Sequence, residues 1–148
     1  MTPHKQLNHH QPELGVIGDC WRTAIACLLD KHPSEVPHFC ERDFENTKAA
    51  NDNCRAYLET QGLAHIEYAM QGDDLDAVLT SVSACNPGLH FILGGNSRTG
   101  CGHVVICRDG EIVWDPSRTD AGIVGPMDDG LYWITWLVPL FLKKGAPA

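Results

Sequence analysis

The spacing of apolar residues changes character at Asn86-Pro87-Gly88, and that change confines the chain to folds in which helices come first and a sheet is completed late. Ahead of it, Trp21, Ala24, Ile25, Leu28 and Leu29 recur at i, i+3, i+4, i+7 and i+8, the stripe of a helix with one buried face. This helix is expected over residues 20–30, with Asp19 placed to cap it. Lys31-His32-Pro33 stops it, because proline disfavours helical backbone in the residue before it. A short turn is expected at 34–36, closed by Pro37. Further helices are expected over 47–61, ended by Gly62, and over 74–84, with Asp73 as cap and Asn86-Pro87-Gly88 as stop. Beyond Pro87 come short runs rich in β-branched and aromatic residues at 90–93, 103–107, 111–114 and 131–138, each bounded by glycine, proline or aspartate. Helices followed by an antiparallel sheet describe an α+β domain.

At 148 residues the chain reads as a single domain over 1–148, with a loosely held polar arm at 1–13 and a frayed tail at 143–148. Eleven Lys and Arg against 19 Asp and Glu leave a formal charge of −8, which opposes a general nucleic-acid binder. The apolar stretch at 131–142 is about half the roughly 20 residues of a spanning helix and is broken by Thr135 and Pro139, so no membrane is expected. The polar opening MTPHKQLNHHQPELG carries no apolar export segment. Seven cysteines, an odd number, then fit reduced thiols in a cytoplasmic setting better than a disulfide framework.

Three segments carry groups that can do chemistry together: Gly18-Asp19-Cys20-Trp21 at the start of the first helix, Gly102-His103-Val104-Val105 opening a strand, and Trp114-Asp115-Pro116 closing the next. A cysteine in a first helical turn meets backbone N–H groups and the positive end of the helix dipole, which favour its thiolate. An adjacent imidazolium adds to that preference, and a carboxylate on the other ring nitrogen fixes the histidine's tautomer and orientation. Cys20, His103 and Asp115 are the candidate nucleophile, base and orienting group.

Strand register decides whether His103 and Asp115 meet. A two-residue turn at Asp109-Gly110 pairs Arg108 with Glu111 and leaves His103 on the face opposite Asp115. A three-residue loop, Arg108-Asp109-Gly110, pairs Cys107 with Glu111, sets His103 opposite Asp115, and gathers Val104 with Trp114 and Ile106 with Ile112. Glycine suits the third position of such a bulged loop. The three-residue loop is therefore the expected one.

Ile17-Gly18-Asp19-Cys20-Trp21, Gly102-His103-Val104-Val105 and the later Asp115 resemble the papain-like cysteine peptidases in residue type and order. The compact layout is similar to bacterial papain-fold domains that process bacteriocin leaders. It is also similar to small bacterial and phage proteins that join a GNC or GDC helix start to an H-V-V strand and a D-P turn, with Glu35-Val36-Pro37-His38-Phe39 included. The resemblance runs from about Gln11 to Val138. It implies a papain-like fold and a Cys20-His103-Asp115 hydrolase acting on a peptide or isopeptide bond of a peptide or protein substrate. Gln11, Asp19, Trp21 and Gly102 are then the oxyanion and substrate-binding positions. Leu14 stands where the family's oxyanion glutamine commonly lies, which leaves Gln11, or more weakly Gln6 or Asn8, to supply it. Ile17 stands where papain has a further cysteine. Acyl transfer to an amine uses the same three groups, and an inactive peptide-binding module keeps the same cleft.

Each group also has a plainer reading: a buried thiol is a small hydrophobe, a strand histidine can bond a carbonyl, and Asp-Pro can make an Asx turn. Cys101-x-His103, His38-x-Cys40 and His9-His10 come nearest to metal-ligand spacing, but no C-x-x-C pair exists, and neither metal nor cofactor is expected. Gly94, Gly95, Gly100 and Gly102 surround Asn96-Ser97-Arg98-Thr99 without the strand-to-helix setting of a phosphate loop, so this stretch reads as a flexible loop before His103. Asp73, Asp74, Asp76 and Asp128-Asp129 read as solvated caps and turns. Trp133 and Trp136 fall on opposite faces of their strand.

Overall fold

A computed structural model describes residues 1–41 and 46–140; the tail expected at 143–148 lies outside them. Within the described residues are α1 (Cys20–Leu28), α2 (Thr47–Thr60), β1 (Leu63–Gln71), α3 (Leu75–Cys85), β2 (Phe91–Asn96), β3 (Gly102–Arg108), β4 (Glu111–Trp114) and β5 (Leu131–Pro139). The strands form one antiparallel sheet in the order β1-β5-β2-β3-β4. The architecture is α+β.

Local chemistry sets the helix ends. The Asn46 side chain accepts a bond from Ala49 N at 3.0 Å and starts α2, whose buried Ala50, Cys54 and Leu58 make one stripe at a spacing of four. Asp74, not Asp73, caps α3 by accepting from Asp76 N at 3.0 Å. Asp19 occupies the cap position of α1, but its side chain makes no cap bond there.

Alternation along the strands splits the core into two layers. On one face, Phe91, Leu93, Val105, Tyr132, Ile134 and Trp136 pack under α3. On the other, Ile92 and Ile106 meet α1 and α2 through Ile25, Cys27, Cys54 and Leu58. β1 is absent from the sequence reading, which treats the first half as helical. It pairs along its whole length with β5, from Leu63 with Pro139 to Gln71 with Leu131.

Two loops depart from expectation. Residues 94–102 are not a flexible loop: Gly94 and Gly95 lie in β2, Gly102 lies in β3, and Ser97 closes the hairpin with its N–H and its hydroxyl on Cys101 O. The β3–β4 connection is the two-residue turn, with Asp109 and Gly110 at φ 52° and 85° and Arg108 paired with Glu111. The expected register, with Cys107 on Glu111 and His103 directly opposite Asp115, is therefore wrong. A bulge follows instead: Cys107 faces Ile112 and Ile106 faces Trp114, leaving Val113 as the extra residue. Continued by one position, this register sets Asp115 level with Val105, on the side of the sheet that His103 shares.

The polar arm is not loose. Thr2 N bonds Cys27 O, Gln6 N bonds Pro116 O, and Trp114 Nε1 donates to His4 O at 2.8 Å. Lys5 Nζ lies 4.8 Å from the centre of the Trp114 ring and bonds Asp115 O and Asp120. The arm thus ties the C-terminal end of α1 to Trp114 and the segment after β4.

Candidate active site

Cys20 is the first residue of α1. Thr23 N–H closes the first turn onto Asp19 O at 3.0 Å, so the N–H groups of residues 20–22 stand at the open, positive end of the helix. The thiol is half-buried and lines a cleft of about 550 Å³ with His103.

His103 is 6% exposed, and its Nε2 lies 2.7 Å from Asp115 Oδ1. The same carboxylate accepts Ser117 N on Oδ1 and Gly122 N on Oδ2, each at 2.8 Å, so three donors fix its plane. Burial alone would depress the imidazole. Hydrogen bonds to Asp115 and to Cys20, with the negative charge of both, outweigh burial and carry His103 up to about 9. Burial likewise opposes the Asp115 charge, but the bond from His103 and the two amides hold its carboxyl well below the usual range. Since Nε2 serves Asp115, Nδ1 is the ring nitrogen left for Cys20.

The expected flanking residues divide. Trp21 lines the cleft and packs edge-on against Phe39 at 5.4 Å. Gly102 also lines it, and a Cβ there would come within 3.2 Å of Met127 Sδ. Asp19 borders the cleft but is 1% exposed, with its carboxylate taken by Asn8 N, Leu7 N and two nitrogens of Arg22. Its place is structural: it ties the arm to α1 and is not free to meet a substrate. Gln11 is not among the cleft residues, because its backbone pairs with Val16 around a short 3-10 turn, Pro12–Leu14.

Gln6, a weaker candidate in the sequence, is the glutamine that the arm delivers. It is 5% exposed and lines the cleft with Cys20 and His103, and its Nε2 donates to Asn8 O. Spacing could not reveal this, since the arm's course depends on the buried Asp19. His38, Cys40 and Cys101 also border the cleft. Burial, then the charge of Cys20, pushes the Cys40 thiol up. Among the described residues, no group of three His, Cys, Asp or Glu is disposed to hold a metal ion. Cys27, Cys54 and Cys107 are buried in the core, with Cys54 raised to about 12 by desolvation, whereas Cys85 and Cys101 are exposed.

No protein-family model, no curated protein and no solved structure matches the chain. No helix among the described residues is long and apolar enough to cross a membrane.

Proposed function

We propose that the chain is a papain-like thiol hydrolase that cleaves an amide bond of a peptide or protein substrate. The observation that carries this reading is a half-buried thiol at an open helix N-terminus that shares one cleft with a buried histidine, whose Nε2 lies 2.7 Å from a carboxylate held by two backbone amides. The order Cys, His, Asp and the helix packed on an antiparallel sheet support the papain-like assignment. Seven free cysteines fit a reducing, cytoplasmic setting.

In this reading the Cys20 thiolate attacks the carbonyl carbon, and the oxyanion takes hydrogen bonds from the Cys20 N–H and from Gln6 Nε2. His103 gives its proton to the departing amine as the C–N bond breaks, leaving a thioester on Cys20. His103 then takes a proton from water as its oxygen attacks the thioester. The C–S bond breaks, the acid departs and the proton returns to the Cys20–His103 pair.

Limiting iodoacetamide at pH 6, read by peptide mass spectrometry, tests the reading. Unassisted thiols with a pKa near 8.5 are less than about 1% ionised at that pH. Cys20 should be modified at least about tenfold faster than exposed Cys85 and Cys101, and His103→Ala should abolish that lead without changing the other two. Equal labelling of all three, or indifference to His103→Ala, would refute it.

A further inference from the structure

A second hollow, of about 770 Å³, adjoins the cleft and shares Trp21, Gly102 and Met127 with it. Its floor is the α1 and α2 face of the sheet, around the cross-strand neighbours Gly94, Val104 and Trp133. Gly94 and Gly102 deepen it by offering no side chain. Its apolar walls are the Trp21 and Trp133 indoles and the Met127 thioether.

The polar lining is one-sided. Glu67, Asp128 and Asp129 border the hollow, and no Lys, Arg or His does so among the described residues. Neutral donors orient all three carboxylates: Thr135 Oγ1 on Glu67 at 3.2 Å, Asn96 Nδ2 on Asp128 at 2.9 Å, and Leu131 N and Trp133 Nε1 on Asp129, both at 2.9 Å. None of them takes part in an ion pair among the described residues. Three carboxylates without an ion-pair partner among the described residues, beside two indoles, suit a donor-rich cation on an aliphatic stem. The stem would cover the apolar walls while the head meets the carboxylates and the aromatic faces. A purely apolar occupant would strip water from the carboxylates without replacing it, and an acidic one would be repelled.

We infer that this hollow is a specificity subsite for an arginine or lysine side chain of the substrate, one or two residues from the bond that is cut. The inference rests on the hydrolase reading of the adjoining cleft. Its test uses tripeptidyl acyloxymethyl ketones that carry arginine, norleucine or glutamate at either of the two positions nearest the ketone. Labelling of Cys20 is followed by intact mass, alongside iodoacetamide. The arginine probe should react about tenfold faster than the norleucine probe, with glutamate slowest. Glu67→Gln with Asp129→Asn should cut the ratio of arginine to norleucine rates to about threefold or less. Equal rates for the three probes, while iodoacetamide still singles out Cys20, overturn the subsite and leave the hydrolase reading standing. If Cys20 shows no preference with any reagent, the hydrolase reading falls, and the subsite is judged by NMR titration. Only acetyl-Ala-Arg-Ala-Ala-amide, and neither its norleucine nor its glutamate analogue, should then shift the Trp21 and Trp133 indole signals. Equal or absent shifts overturn it.

Discussion

Replacing Asp115 by asparagine should uncouple the protonation of His103 from the fold. Asparagine keeps one acceptor oxygen, which can still serve His103 and the Ser117 amide, but it sets an NH2 group against the Gly122 amide and removes the charge 2.7 Å from Nε2. The rise of His103 from its ordinary 6.5 to about 9 corresponds to about 3 kcal/mol of folded-state preference for the imidazolium. Because the folded value is the higher one, this stabilisation is complete below pH 6.5, where the unfolded chain is protonated as well, and it is lost as pH climbs through about 9. Other thiols, tyrosines and lysines titrate in the same range, so the informative quantity is the difference between wild type and Asp115→Asn. Urea unfolding at pH 6 and pH 9.5 should show the variant's deficit shrinking as pH rises, with the pH-independent cost of the lost Gly122 bond remaining at pH 9.5. The histidine Cε1–H resonances, with His103 assigned through His103→Gln, should move the His103 titration down by about 1 to 3 pH units in the variant. A wild-type His103 that titrates at or below 6.5 would refute the reasoning, for burial would then have beaten the ion pair.

Asp19→Ala strands the nearly buried guanidinium of Arg22 and the amides of Leu7 and Asn8, at a cost of about 3–5 kcal/mol by denaturant titration. Hydrogen exchange should show those two amides losing protection before the sheet does. Gln6→Ala should slow p-nitrophenyl acetate turnover by about 10² to 10³ while Cys20 alkylation persists, because the donor acts on the oxyanion and not on the thiolate. Leu58→Ala, in the layer under α2, should cost about 2–5 kcal/mol with the unfolding slope unchanged. Gly110→Ala, at φ 85°, should cost about 1–2 kcal/mol and leave the alkylation pattern intact.

Features written in short-range chemistry were legible. The stripe from Trp21 to Leu29, the Gly62 stop and the β-branched runs after Pro87 placed α1, α2 and four strands to within a few residues. β1 was legible too, in the alternation of Ala64, Ile66, Tyr68 and Met70 with His65, Glu67 and Gln71, but its proximity to a helical run masked it. The β3–β4 register was misjudged for a physical reason. Asp109-Gly110 prefers the two-residue turn, and a bulge at Val113 has no composition of its own to announce it. Asp19 looked like a cap and Gln11 like the nearest glutamine because the sequence cannot say that a buried carboxylate reels residues 7 and 8 back onto α1. Only then does Gln6 reach the cleft.

The bulge at Val113 has a consequence for how the hairpin tolerates changes of length. A strand is a two-state code in which each residue inverts the side addressed, so one extra residue acts as a phase inverter that returns Asp115 to the side of His103. Deleting Val113 would remove the bulge yet leave Ile106 facing Trp114 and Asp115 on the side of His103, whereas straightening the strand with Val113 retained would pair Ile106 with Val113 and send the carboxylate to the wrong side. Parity, more than length, is the quantity this hairpin must conserve.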